Sequence, residues 1–439
     1  MSRHRPIIGP ILAALLVALA LPAQAVTVLR DADIEHGLSE LAAPVLRAAG
    51  LSPSQVRVLL VDDPSLNAFV VDAQHIFLHS GLVLRLKTPG AVQAVIAHEA
   101  AHIANGHLSR RAGNMAAART AAGFGLALAA ATAAAGGGSA AGGIAIGSVS
   151  SAMRRFMVHS RAEEASADQS AVRAMTRAGI DPAGALEVYE LFRGQEALSS
   201  SRQDPYAMTH PLSSERLRAL RAYVQVNSKG QPDSNAARYW FSRTQGKLSA
   251  FQRAPSWTRK RLGDSASQDI VHIREAVMHF RSSDIPRAMQ AIDRAIALRP
   301  KDPFLWDLKG EILLKGRQPG NAVKAYAQAA RLAPRNAIIA GGLGRAQLAS
   351  GDTASAVRTL EQARNADFRN TAILRDLAQA YAATGQTPMA SVVTAERYAL
   401  EGRLKDAEIH AKRAMGQLPP GNPGYRRAED IEMAARRMK

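Results

Sequence analysis

The sequence predicts a mainly α-helical protein, with an α+β N-terminal domain that contains a small sheet, followed by a helical-repeat solenoid. Hydrophobic residues make up 47% of the 439 residues but aromatic residues only 5%, which favours packed helices over a β-sandwich. Apolar and polar residues alternate near position 60 and favour a short strand. Small residues recur every 34 positions after position 280, which is typical of tetratricopeptide repeats.

Residues 1–25 have the pattern of a secretory signal peptide. Arg3 and Arg5 precede an apolar stretch at 7–21, and Ala23-Gln24-Ala25 follows as a small-residue cleavage site. The apolar stretch is shorter than the roughly 20 residues that a membrane span needs. We therefore expect a cleaved signal and an exported chain, with an uncleaved anchor as the alternative. The sequence has no cysteine, so the exported fold must be stable without disulfides.

The net charge is strongly positive, at +18, or +16 once Arg3 and Arg5 are removed with the signal. The basic residues are scattered and form no aromatic-basic patch, so we expect no nucleic-acid binding. Attraction to an anionic membrane surface or to an acidic partner fits this charge, and a merely solvated basic surface fits it equally.

The N-terminal domain begins with a predicted helix at 30–50 that ends on Gly50. QVRVLLVDDP alternates as a strand does, and residues 67–86 continue as one or two short strands that lead into a helix. Thr88 and Pro89 then form a helix start, and this helix ends at Gly106.

A second long helix is predicted at 152–178, ending at Gly179. Between the two long helices, no charged residue occurs from Thr120 to Met153. The glycine-rich middle of this segment argues against one continuous membrane-spanning helix. A helical hairpin or mobile flap that contacts lipid is one interpretation, and a plain flexible insertion is the other.

The C-terminal half repeats with a period of 34 residues. We place the first domain at 26–223, a linker with some local structure at 224–267 because of its polar and basic clusters, and the repeat domain at 268–439. Three helix pairs are clear, and the stretch ending in EGRLKDAEIHAKRAM fits one more pair out of phase, with EGRLKDA as its turn. The small residues that keep the period are Ala288, Ala322 and Ala356; Ala295, Ala329 and Ala363; Pro300 and Pro334; and Gly310 and Gly344. Small residues let the paired helices approach closely, and each repeat buries its apolar face on a neighbour.

The segment HEAAH has the spacing of a metal site. His98 and His102 are four residues apart and therefore lie on one face of a helix. Two imidazoles, a third protein ligand and one open position make up a catalytic zinc site. Glu99 is placed to take a proton from a water and to return it to a leaving amine. The alternative is a surface histidine pair with an incidental glutamate.

Glu164 and Asp168, in SRAEEASAD, are the best candidates to complete the site. They are four apart on the second long helix, so one carboxylate can bind a metal while the other bonds a ligand imidazole. Glu163 points about 100° away on the same helix. An exposed acidic helix face explains the spacing equally well. His107 follows the end of the first long helix and is expected to be structural.

Five segments together resemble the HtpX/Ste24/Oma-type zinc metallopeptidase family with C-terminal tetratricopeptide repeats. They are NAF, HSGL, HEAAH, SRAEEASAD and THPLSSERL, at 67–69, 79–82, 98–102, 160–168 and 209–217. The resemblance implies a thermolysin-like (gluzincin) catalytic domain that binds one zinc ion through His98, His102 and Glu164. It also places the family's aspartate on Asp168.

The resemblance assigns two further segments. Asn67-Ala68-Phe69 matches the edge strand that lines the family's cleft, but Val71-Asp72-Ala73-Gln74 stands where many relatives have a glycine-rich turn. His210 matches a histidine that holds relatives latent near the metal. It could instead donate to the oxyanion of the tetrahedral intermediate or bond its own backbone.

The resemblance implies a periplasmic endopeptidase that hydrolyses misfolded or misassembled envelope proteins. The repeats would bind protein or peptide substrates, or an outer-membrane assembly machine. One alternative is a largely latent peptidase that acts as a chaperone or scaffold through its repeats. The other is an integral membrane peptidase that uses residues 120–150 as spans.

Overall fold

The computed structural model describes residues 27–110, 160–198 and 202–437. Within them the chain is mainly helical, with one small mixed sheet followed by helical repeats, which confirms the predicted fold class. The predicted signal peptide and the uncharged segment at 120–153 lie outside the described residues, and their predictions remain predictions. None of the helices in the described ranges is both long enough and apolar enough to span a membrane.

The sheet has four strands in the order β1-β2-β4-β3. Strands β2 and β4 are parallel and the other neighbours are antiparallel. Strand β3 therefore lies at an edge, and a register shift occurs between Val70 and Asp72. The strands are β1 (Val28–Leu29), β2 (Arg57–Val61), β3 (Ala68–Asp72) and β4 (His75–His79).

The described residues of the first part of the chain contain seven α-helices: α1 (Ala32–Ala48), α2 (Ser80–Arg85), α3 (Pro89–Ala104), α4 (Arg161–Arg177), α5 (Gly184–Leu191), α6 (Pro205–Thr209) and α7 (Ser214–Asn227). Helix α3 begins as predicted, because the Thr88 side chain accepts a hydrogen bond from the Ala91 amide at 3.1 Å. It packs against α4 and is buried along most of its length. Helix α4 begins in a capping box formed by Ser160 and Glu163 and ends before Gly179, whose φ is 70°.

The segment at 224–267, predicted as a linker with some local structure, contains two α-helices. Most of this predicted linker is helical, in α8 (Asn235–Gln252) and α9 (Pro255–Lys260), and α8 packs on α1. The buried residues of α8 include Arg243, which donates to Asp33 at 2.7 Å, and Lys247, which donates to Asp31 at 2.9 Å. Basic residues that are typical of a solvated linker are instead buried here in ion pairs.

Ten helices form the repeat solenoid: α10 (Gln268–Arg281), α11 (Ile285–Leu298), α12 (Pro303–Lys315), α13 (Pro319–Leu332), α14 (Ala337–Ala349), α15 (Thr353–Ala366), α16 (Thr371–Ala383), α17 (Thr387–Leu400), α18 (Leu404–Met415) and α19 (Pro423–Arg437). A Cβ atom on Gly310 would lie 2.5 Å from the Tyr326 ring, so the glycine permits the close approach of two helices. Helices α17 and α18 form the predicted out-of-phase pair, with a shorter turn at 401–403.

Candidate metal centre

Helix α3 places the two histidines of HEAAH side by side in the protein interior. The Nε2 atoms of His98 and His102 lie 3.1 Å apart. The exposed fractions of the two residues are 6% and 0%. The helical spacing therefore brings two imidazoles to one buried point.

Helix α4 brings Glu164 to the same point, because its first turns pack against α3. Glu164 is fully buried. Its Oε2 lies 3.4 Å from His98 Nε2, and its Oε1 lies 3.3 Å from His102 Nε2. The carboxylate thus faces the inner nitrogens of both imidazoles. Glu163, by contrast, caps its own helix.

His210 enters the cluster from the segment after α6. Its Nδ1 lies 3.1 Å from Glu164 Oε1, and its Nε2 lies 3.3 Å from the carbonyl oxygen of Ala68 on β3. The ring is 1% exposed and packs against Tyr206 with the ring centroids 4.5 Å apart. One ligand atom from each of His98, His102, Glu164 and His210 lies within 4.8 Å of the others.

Asp168 and Arg216 support this cluster from behind. Asp168 Oδ1 lies 3.1 Å from His98 Nδ1, the ring nitrogen that faces away from Glu164. The Arg216 guanidinium donates to both Asp168 oxygens, at 2.9 and 2.8 Å, and its Nη1 lies 2.8 Å from Glu164 Oε2. The sequence reasoning missed Arg216, although it lies within the segment THPLSSERL.

His107 contacts the cluster from the outside. Its Nδ1 lies 2.9 Å from His102 Nδ1. The residue is 1% exposed, although it follows the end of α3. The structure thus places it behind His102, in the same relation as Asp168 has to His98.

Burial and charge act in opposite directions on the pKa values of the two α3 histidines. Burial lowers the pKa of His98, but the Glu164 and Asp168 carboxylates outweigh it and raise this pKa to about 10. Burial dominates at His102 and lowers its pKa to about 3. Burial raises the pKa of Glu164, but His210 and His98 outweigh burial and hold it well below the usual value. The carboxylate of Glu164 is therefore ionised at neutral pH, and its negative charge favours a cation at this centre.

Glu99 lies next to the cluster with no exposed surface. Its Oε1 is 3.3 Å from His210 Nε2, but the geometry is not that of a hydrogen bond, and neither carboxylate oxygen accepts one from a described residue. Burial raises the pKa of this carboxyl. Such a group is a stronger base than an exposed glutamate.

The residues present fit a divalent metal ion. Imidazole nitrogens and a carboxylate oxygen are the donors of catalytic zinc sites. The inner nitrogens of His98 and His102 face each other. Glu164 Oε2 forms an ion pair with Arg216 but accepts no hydrogen bond from a described residue. A cation bound among these donors would satisfy all three side chains.

Comparison with known proteins decides the family. Residues 29–224 match the family model of peptidase family M48, and residues 313–370 match a tetratricopeptide repeat model. Residues 29–224 therefore form a domain of the M48 peptidase family. This M48 family is one of metallopeptidases, so the buried centre lies in a metallopeptidase domain that precedes tetratricopeptide repeats.

Two curated proteins are similar to this chain. A Vibrio cholerae protein, provisionally named beta-barrel assembly-enhancing protease, is 22% identical over 302 residues, which are 64% of this chain and 58% of the relative. The mitochondrial metalloendopeptidase OMA1 of Schizosaccharomyces pombe is 26% identical over 183 residues, which are 41% of this chain and 50% of the relative. The chain thus spans between half and three fifths of the length of these relatives.

Among solved structures, the repeat protein YrrB is similar to part of this chain. Its title describes a TPR protein with an unusual peptide-binding site. The sequence identity is 16% and the TM-score 0.32, over 40% of this chain and 91% of YrrB.

Proposed function

We propose that the protein is a zinc-dependent endopeptidase that hydrolyses peptide bonds of misfolded or misassembled envelope proteins in the periplasm. The observation that carries the proposal is the convergence of His98, His102 and Glu164 on one buried point, with Glu99 beside it. Two imidazoles and one glutamate are a known ligand set of catalytic zinc.

The roles of the side chains follow from their positions. His98, His102 and Glu164 hold the metal, which when bound lowers the pKa of a water molecule and polarises the substrate carbonyl. Glu99 takes the proton of the attacking water and delivers it to the leaving amine. Asp168 accepts a hydrogen bond from His98 Nδ1, so that Nε2 is left free to bind the metal.

Strand β3 is the surface on which an extended substrate binds. It lies at the edge of the sheet, and its Ala68 carbonyl oxygen is 3.3 Å from His210 at the metal centre. An extended peptide that adds to this edge through main-chain hydrogen bonds would run past the metal ligands.

The repeat domain supplies the partner-binding surface. Tetratricopeptide solenoids bind proteins and peptides on their extended concave faces, and the Vibrio relative carries beta-barrel assembly in its name. We therefore assign substrates or outer-membrane assembly proteins as partners of the repeats. The basic composition also fits peripheral contact with an anionic membrane.

The position of His210 supports a second candidate, a largely latent peptidase that acts mainly as a chaperone or scaffold. This imidazole is buried among the other donors, where a fourth metal ligand would displace water and substrate. In that case the resting protein acts through its repeats, and proteolysis requires His210 to move away from the other three donors.

Casein hydrolysis by the purified, zinc-loaded chain tests the proposed function. The Glu99→Gln variant removes the base but keeps the side-chain size, so we expect hydrolysis to fall at least about a hundredfold while the metal is retained. The matched control is Glu163→Gln, because glutamine also serves in a capping box. Hydrolysis that survives Glu99→Gln unchanged would exclude the assigned mechanism.

A further inference from the structure

The end of β3 that lies away from the metal centre forms a tight turn with β4. The Asp72 side chain accepts a hydrogen bond from the Gln74 amide at 2.7 Å, and both of its oxygens lie 2.9 Å from His75 Nδ1. The pairing of Asp72 with His75 follows the register shift after Val70. The side chain of Asp72 thus fixes how the edge strand turns.

A turn of the repeat domain lies against this end of the sheet. Residues 367–370 connect α15 to α16. From this turn, Arg369 Nη1 lies 3.2 Å from each ring nitrogen of His75 and 3.8 Å from Asp72 Oδ2. The repeat domain therefore contacts the turn that ends the edge strand.

The turn at 367–370 also contacts residues in or next to the neighbouring strands β1 and β2. Asp367 Oδ2 lies 2.6 Å from Arg30 Nη2, next to β1, and 3.2 Å from Arg57 Nη1, at the start of β2. Arg57 is the register partner of His75 in the parallel pair β2–β4. One turn of the solenoid thus contacts the start of β2, the residue after β1, and the adjoining ends of β3 and β4.

The opposite end of β3 lies at the metal centre, where the Ala68 carbonyl oxygen approaches His210. A five-residue strand is only about 13 Å long between its end Cα atoms. A change in the β3–β4 turn is therefore transmitted along a short, hydrogen-bonded strand to the residues beside the metal ligands.

We propose that Arg369 of the repeat domain is a positioning residue for the substrate-binding edge strand. Arg369 holds Asp72 and His75 and so fixes the position of the edge strand β3. In this position, an extended peptide that pairs with β3 runs past the metal centre. This inference rests on the proposed function in one respect, the role of β3 as the strand that pairs with substrate. It makes peptide binding in the peptidase domain dependent on the repeat domain.

Steady-state kinetics on a peptide substrate, with Arg369→Ala in the full-length, zinc-loaded chain, test the proposal. We expect KM to rise about tenfold, the effect of losing one charge-assisted contact, while kcat stays within about twofold. Arg369→Lys keeps the charge and should recover part of the loss. Arg358→Ala is the matched control, since this exposed arginine of α15 bonds Ser355 of its own helix and lies outside the contact. If wild-type turnover is too slow to measure, all variants are compared in the His210→Ala background.

Amide hydrogen exchange supplies a readout that does not depend on activity. Residues 68–75 should exchange faster in Arg369→Ala than in the wild type and in the Arg358→Ala control, because the turn that ends β3 loses its contact with the repeat domain. Exchange and KM that match the Arg358→Ala control would overturn the proposal. If neither the wild-type chain nor the His210→Ala variant cleaves the peptide, the proposed function is refuted. Amide hydrogen exchange alone would then decide the role of Arg369.

Discussion

Asp168 Oδ1 lies 3.1 Å from His98 Nδ1, while Glu164 Oε2 lies 3.4 Å from Nε2 of the same ring. One imidazole is thus held between two carboxylates. Arg216 contacts both of these carboxylates and keeps Asp168 in place. The arrangement suits a His98 ring that donates a hydrogen bond through one nitrogen and leaves the other available to bind a metal.

We expect Asp168→Asn to weaken metal binding by about 10- to 100-fold, the usual effect of losing a carboxylate that orients a ligand histidine. Activity should return when zinc is added in excess, because the three ligands remain. Competition with a chelator measures the affinity, and Glu163→Gln on the same helix is the control. Wild-type affinity in Asp168→Asn would show that Asp168 does not orient the ligand.

Replacing His210 should activate the enzyme if this residue acts as a latency device. His210 is 1% exposed and lies among the ligand atoms. We expect His210→Ala to raise casein hydrolysis several-fold, because the position of a fourth ligand becomes open to water. His272→Ala, in α10 of the repeat domain, is the control. A fall in kcat instead would assign His210 to the stabilisation of the oxyanion.

The contact between Asp367 and the sheet should contribute stability that depends on pH. Burial raises the pKa of Asp367, but Arg30 and Arg57 outweigh burial and hold it below the usual value. A lowered folded-state pKa stabilises the fold above the unfolded pKa of about 3.9, and this contribution is lost as the pH falls through the folded value.

Asp367→Asn should therefore lower the free energy of unfolding at pH 7 by about 1–3 kcal/mol. At about pH 3, below the unfolded value, the difference from wild type should be smaller, because the carboxyl of the unfolded wild-type chain is then protonated and must lose its proton on folding. Urea unfolding midpoints at the two pH values measure this. A difference of equal size at both would mean that the charge of Asp367 makes no contribution.

Glycine 344 should be required for the packing of one helix pair. A Cβ atom at Gly344 would lie 2.5 Å from Leu360 Cγ, whereas one at Gly320 would meet no atom within 4 Å. We expect Gly344→Ala to destabilise the protein by about 1–3 kcal/mol through overpacking, and Gly320→Ala to leave it unchanged or slightly stabilised. Thermal unfolding of the two variants compares these effects, and equal melting temperatures would reject the packing argument.

Local periodicity was sufficient to predict most of the fold and part of the site. The spacing of His98 and His102 on α3, and the regular small residues of the solenoid, depend on neighbours along the chain. The convergence of Glu164 with α3 depends instead on the packing of two helices that the sequence separates widely, and spacing alone left an exposed acidic face as an equal alternative.

Two features could not be read from local pattern. Arg216 binds Asp168 and Glu164, but a single arginine in a polar segment gives no sign of the carboxylates it will meet. Helix α8 lies in the segment that was predicted as a linker because of its polar and basic clusters, but its Arg243 and Lys247 are buried, and the buried Asp33 contacts both. Burial of charge is decided by tertiary partners, and so it is invisible to hydropathy.

Metal content tests the central claim most directly. The purified wild-type chain and its Glu164→Gln variant are each equilibrated with zinc, desalted and analysed by inductively coupled plasma mass spectrometry, with Glu163→Gln as the control. The account predicts near-stoichiometric zinc in the wild type and the control, and its loss from Glu164→Gln. Zinc retained at the wild-type level in Glu164→Gln would contradict the convergence of His98, His102 and Glu164 on one ion.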